Sequence, residues 1–123
     1  MAKKIMLVDD ETELRDLVAM RLKSFGYEVC AAANGDEAMI LLDDTIPDLI
    51  LLDVMMPGKD GYEICNEIKT NEKTSHVPII LFTAKPEQKE KLKSNYDFMA
   101  ADDYILKPFE PEDLLIKIKR FIG

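Results

Sequence analysis

The stretch "DLILLD", Asp48 to Asp53, decides the fold. Four apolar residues run without interruption between two aspartates. A strand with one face in water alternates apolar and polar side chains, whereas an unbroken run of this length marks a strand covered on both faces. Sheets of that kind are parallel, with helices packed above and below them. The rest of the chain can therefore be searched for matching runs and for the helices that cover them.

Four further runs are present. Ile5 to Val8 is the first, Tyr27 to Ala31 is strand-like, "VPIILFTA" spans Val77 to Ala84, and "DDYILKPF" spans Asp102 to Phe109. Helical periodicity fills the intervals. Leu14, Leu17, Val18, Leu22 and Phe25 recur at three- and four-residue steps until Gly26 stops them. Ala38, Leu41 and Leu42 follow the Asn34-Gly35 turn, and Ile64, Cys65 and Ile68 follow the Pro57-Gly58 break. Pro86 suits the first turn of the charged segment "PEQKEKLKSNY". Pro111 opens a last helix with Leu114, Leu115, Ile118, Phe121 and Ile122 on one face. Five strands alternating with five helices predict an α/β fold, a doubly wound, mostly parallel sheet with helices on both sides. With 123 residues and no linker, repeat or low-complexity tract, residues 1–123 are expected to form one domain.

Bulk charge narrows the function. A formal net charge of −8 repels nucleic-acid phosphates and anionic membranes, so direct nucleic-acid binding is not expected. No apolar run approaches the roughly 20 residues of a membrane span, and no signal-peptide pattern opens the chain, which makes the cytoplasm the expected location. Cys30 and Cys65 have neither the spacing nor the histidines of a metal or redox site and read as small core residues. His76, alone in "TNEKTSH", reads as a loop residue.

In doubly wound sheets ligands bind outside the carboxyl ends of the strands. The first strand ends in Asp9-Asp10, the third in Asp53, the fourth in Thr83 and the fifth in Lys107, while the second ends in alanines. Taken singly, a strand-end aspartate is usually a helix cap and a terminal lysine is usually solvated. Four ends with complementary groups need another explanation. Crowded carboxylates repel, and without a countercharge one of them is pushed to take up a proton. A hard divalent cation removes the conflict, and an oxygen-only site suits Mg²⁺ better than zinc. A metal held by carboxylates opposite a hydroxyl and an ammonium meets the demands of phosphoryl transfer. On this reading the metal, Lys107 and Thr83 each take one phosphoryl oxygen, and Asp53 accepts the group as an aspartyl phosphate.

The pieces "LVDDE", "DLILLDVMMPGKDGYE", "IILFTA" and "DDYILKPF", in this order, closely resemble the receiver domain of two-component response regulators over essentially the whole chain. The resemblance implies strand order 2-1-3-4-5 and a flavodoxin-like (βα)5 fold. It implies Asp9 and Asp10 as the metal-holding pair, Asp53 as phosphoacceptor and third metal carboxylate, and the Met55 backbone carbonyl as a further Mg²⁺ ligand. Thr83 corresponds to the switch hydroxyl, Lys107 to the pocket lysine, Tyr104 to the aromatic that swings inward, and Lys107-Pro108 to a cis peptide. The implied donor is a sensor histidine kinase or histidine phosphotransfer protein. The implied output is a changed surface on the fourth helix, fifth strand and last helix, read by an effector protein or a second receiver. Such a chain is a phosphoacceptor switch rather than an enzyme, with at most slow self-dephosphorylation, because Met55 and Lys85 beside the site are poor at orienting water. Two departures from the family pattern, Ala100 where glycine is usual and a slightly long stretch between Thr83 and Lys107, fall around the fourth helix.

On the last helix, Ile116 points away from the apolar face, flanked by Lys119 and Arg120. These three residues mark a partner surface for an acidic protein or a second receiver. Two rival readings remain at this point: a small phosphatase with an aspartyl-phosphate intermediate, and a phosphorylation-independent scaffold of the same fold. The phosphatase reading lacks a general acid two residues after Asp53, where Met55 stands. The scaffold reading leaves the full set of polar strand ends without a purpose.

Overall fold

The computed structural model describes residues 2–56, 58–83 and 101–123. The chain alternates β1 (Lys4–Val8), α1 (Thr12–Ser24), β2 (Glu28–Ala32), α2 (Gly35–Asp44), β3 (Leu49–Asp53), α3 (Gly61–Thr70), β4 (Ile79–Thr83), β5 (Asp103–Leu106) and α4 (Pro111–Ile122). The strands form one parallel sheet in the order β2-β1-β3-β4-β5. The expected segment 86–96, with Lys85 and Ala100 on either side, lies outside the described residues.

Every residue of β3 and β4 is buried, as an unbroken apolar run requires of strands covered on both faces. Successive side chains leave on opposite sides and build two cores. Met6, Val8, Ile50, Leu52 and Leu81 pack with Ala38 and Leu42 of α2 and with Ile64, Cys65 and Ile68 of α3. Ile5, Leu7, Leu49, Leu51, Ile80 and Phe82 pack with Val18 and Leu22 of α1 and with Leu114 and Ile118 of α4.

Local chemistry fixes the element ends. Asn34 and Asp60 cap α2 and α3, accepting hydrogen bonds from the Glu37 and Glu63 N–H groups at 2.9 and 3.0 Å. Gly26, at φ +98°, makes the left-handed turn out of α1 that a side chain would resist.

Four expectations shift. Strand β2 runs one residue later than expected, because Gly26 and Tyr27 are spent on the turn. Leu17, assigned to the apolar face of α1, is half exposed, since Val18 and Leu22 take the centre of the contact and leave Leu17 at its rim. Phe121 is partly exposed at the end of α4 for the same reason, and Cys30 is only half-buried on the edge strand. Among the described residues, no helix is long and apolar enough to cross a membrane.

Candidate functional site

The chain moves from β1 out to β2 and returns to β3 on the other side of β1, so β1 and β3 flank the reversal in winding. Their carboxyl ends deliver the acids. Asp9 extends the ladder one residue past β1, donating its N–H to the Ala32 carbonyl at 3.1 Å. Its side chain is fully buried, Asp53 closes β3 at 3% exposure, and Asp10 is exposed. One carboxylate oxygen from each of Asp9, Asp10 and Asp53 lies within 4.8 Å of the other two.

Lys107 enters this cluster from the end of β5. Its Nζ lies 3.2 Å from Asp9 Oδ2 and 3.2 Å from Asp53 Oδ1, bridging two buried acids. Its backbone N–H donates to the Thr83 carbonyl at 2.8 Å, which ties the lysine to the end of β4. The Phe82 ring lies 5.9 Å from the ammonium and packs on Phe109 with ring centroids 5.0 Å apart. Register pairs Asp53 with Phe82, so the buried Thr83 stands one residue beyond Asp53's neighbour on β4. The Lys107-Pro108 peptide is cis.

The electrostatics follow from burial. Loss of water, then the charge of Asp9, pushes the Asp53 carboxyl up to about 6, against the pull of Lys107 and of the Met55 N–H that donates to it. Burial alone would lower the Lys107 ammonium, but Asp53 and Asp9 outweigh it and the net shift is upward. One ammonium thus holds two carboxylates together incompletely. Three convergent carboxylate oxygens, with no sulfur or nitrogen donor among them, fit a hard divalent cation such as Mg²⁺.

The structure brings Asp9, Asp10, Asp53 and Lys107 into one cluster, with Thr83 beside it. It does not bring Tyr104 into that cluster. Tyr104 is half-buried beside Leu81 and packs on the core shared by α2 and α3. Met55 borders the site with its side chain half exposed. Ile116 is 55% exposed on α4, with Lys119 and Arg120 exposed near it. Between them Lys117 turns back to Asp103 of β5, Nζ to Oδ2 3.1 Å.

Sequence reasoning missed three contributors. Arg15 Nη1 donates to the Asp9 carbonyl at 2.9 Å, and Glu11 Oε1 lies 3.6 Å from Lys107 Nζ. Gly61 packs its bare Cα against the backbone of Asp53 and Val54, where a Cβ would sit 2.7 Å from Val54 Cα. The glycine had a legible signal, since a residue that weakens helices stands directly after the Asp60 cap. The Arg15 and Glu11 contacts had none.

Residues 5–119 match the response regulator receiver domain family. The phosphate regulon transcriptional regulatory protein PhoB of Pseudomonas aeruginosa is 43% identical over 117 residues, covering 95% of this chain and 50% of its own length. The chain thus spans about half of that curated relative. Among solved structures, response regulator TrrA of Thermotoga maritima, in complex with Mg²⁺-BeF, aligns at TM-score 0.85 and 38% identity, covering 98% of this chain and 99% of its own. The receiver domain of a Pseudomonas aeruginosa sensor histidine kinase, with magnesium coordinated in its active site cleft, aligns at TM-score 0.88 and 32% identity over 100% and 99% of the two chains. With its strand order, its acid cluster and these relatives, the chain belongs to the response regulator receiver domain family.

Proposed function

We propose that this receiver is a phosphoacceptor switch in which Asp53 takes a phosphoryl group from a phosphohistidine of a sensor histidine kinase or phosphotransfer protein. One observation carries the reading: Lys107 Nζ spans Asp9 and Asp53 at 3.2 Å beside a third carboxylate, Asp10. An Asp53 carboxylate oxygen attacks phosphorus, the P–N bond of the donor breaks, and its electron pair returns to the imidazole nitrogen. Asp9, Asp10, Asp53 and the Met55 carbonyl would hold Mg²⁺, which supplies charge neutralisation for the oxygens around phosphorus. Lys107 takes a second oxygen, already placed and largely desolvated. The Thr83 hydroxyl takes a third.

The acceptance of dianionic charge at Asp53 draws Thr83 inward, and Tyr104, resting half-buried on the neighbouring core, follows into the space released. The β5 and α4 surface, with Ile116, Lys119 and Arg120, is thereby altered for an effector protein or a second receiver. The role is that of a switch, with at most slow self-dephosphorylation. The plain test is mass spectrometry after incubation with acetyl phosphate and Mg²⁺. One added phosphoryl group on Asp53, lost with chelator and in Asp53→Asn, is the expected result. Unchanged labelling of Asp53→Asn overturns the assignment.

A further inference from the structure

Glu11 occupies the N-cap position of α1, yet its side chain makes no capping hydrogen bond. Short polar side chains ordinarily fill that position, as Asn34 and Asp60 do for α2 and α3. The Glu11 carboxylate goes instead to Lys107, with Oε1 3.6 Å from Nζ. Its backbone is pinned to the acid cluster, because its N–H donates to Asp9 Oδ1 at 2.9 Å. Glu11 and Lys107 line one open hollow of about 350 Å³ together with Leu14, Pro108 and Phe109. The ammonium is therefore gripped by two buried acids from within and by one exposed acid from the solvent side.

We propose that Glu11 is a specificity-determining residue that discriminates against free, highly charged phosphoryl donors by fixing a negative charge at the mouth of the site and holding Lys107 from outside. The inference rests on Asp53 being the phosphoacceptor. A small donor such as acetyl phosphate brings two negative charges past Asp10 and Glu11. The cation nearest its path is already shared among three carboxylates, and Arg15 is committed to the Asp9 carbonyl. In the group transfer an Asp53 oxygen bonds to phosphorus, the bond from phosphorus to the acetate oxygen breaks, and acetate leaves with the electron pair. Glu11 takes no part in these bonds. A single exposed charge at the mouth of the site is expected to slow an incoming dianion by about 3- to 10-fold at low salt.

The test compares initial rates of Asp53 phosphorylation in the wild-type chain, Glu11→Gln and Glu13→Gln at saturating Mg²⁺. The donors are acetyl phosphate, a dianion at neutral pH, and phosphoramidate, whose protonated nitrogen leaves it one net negative charge and departs as ammonia with the electron pair of the broken P–N bond. Glu13 is an exposed acid two residues away and controls for net charge. The expected result is a gain of about 3- to 10-fold for Glu11→Gln with acetyl phosphate, a gain of about 2- to 3-fold with phosphoramidate, and loss of both at roughly 0.5 M salt. Glu13→Gln should match wild type, and all three should unfold at the same urea midpoint. Equal rates for Glu11→Gln and wild type, equal gains with both donors, or an equal gain in Glu13→Gln would overturn the inference while leaving the phosphoacceptor intact. Absence of label on Asp53 in every variant would sink the phosphoacceptor reading, and this one with it.

Discussion

Asp53 carries a residue-scale conflict that shows up in stability. Its carboxyl is raised from an ordinary 3.8 to about 6 by burial and by Asp9. Between those values the folded state binds more protons than the unfolded one, so this group's contribution is fully present below about pH 4 and is lost as pH rises through about 6. In chelator at pH 7.5, Asp53→Asn should therefore be more stable than wild type, on the order of 2 kcal/mol, and the difference should shrink toward pH 4. Urea unfolding at the two pH values checks it. A mutant no more stable at pH 7.5 than at pH 4, relative to wild type, would mean that Lys107 neutralises the pair completely.

The element scale turns on how α3 and α2 meet the sheet. The first residue of α3, Gly61, donates its N–H to the Val54 carbonyl at 2.9 Å and leaves no room for a Cβ beside the Asp53 carbonyl oxygen. What stands in the way is strand backbone, which cannot rotate aside. Gly61→Ala should cost about 1–3 kcal/mol and move Asp53 relative to Asp9, weakening Mg²⁺ binding measured by titration calorimetry. At Gly35 the obstacle is the Ile64 side chain, with Cγ1 2.8 Å from the added carbon, and a side chain has rotamers to give. Gly35→Ala should accordingly leave Mg²⁺ affinity close to wild type. The Asn34 cap offers a simpler measure, since Asn34→Ala removes the acceptor for the Glu37 N–H and should cost about 1 kcal/mol in urea unfolding.

At the scale of the whole molecule, the convergence of Asp9, Asp10 and Asp53 on one point predicts a fold whose stability depends on divalent cations. Binding to the folded state alone stabilises it by about 1.4 kcal/mol at a tenfold excess over the dissociation constant. Mg²⁺ should therefore raise the thermal midpoint of the wild-type chain and leave that of Asp10→Asn nearly unmoved, as differential scanning calorimetry would register. A midpoint insensitive to Mg²⁺ in wild type would contradict the three-acid site.

The unbroken apolar runs at Ile5–Val8, Leu49–Leu52 and Ile79–Phe82 were legible without coordinates, because a strand buried on both faces has no polar residue to place. From those runs followed the parallel sheet, and from the sheet the convergence of Asp9, Asp10, Asp53, Thr83 and Lys107 at one edge. Burial of Leu17, Phe121 and Cys30 was not legible, since periodicity names a helical or strand face but not which residues at its rim a neighbouring element covers. The reach of Glu11 to Lys107 belongs to the same class, and so does the partner of Gly61, whose place after the Asp60 cap marks a special glycine without naming Asp53. They join residues 96 and 8 positions apart through space, and such distances are set by how helices settle on the sheet. Residue types and their spacing determined which groups meet at the end of the sheet. Only the packed chain decided how closely they meet, because burial and charge act over a few ångströms that no local pattern encodes.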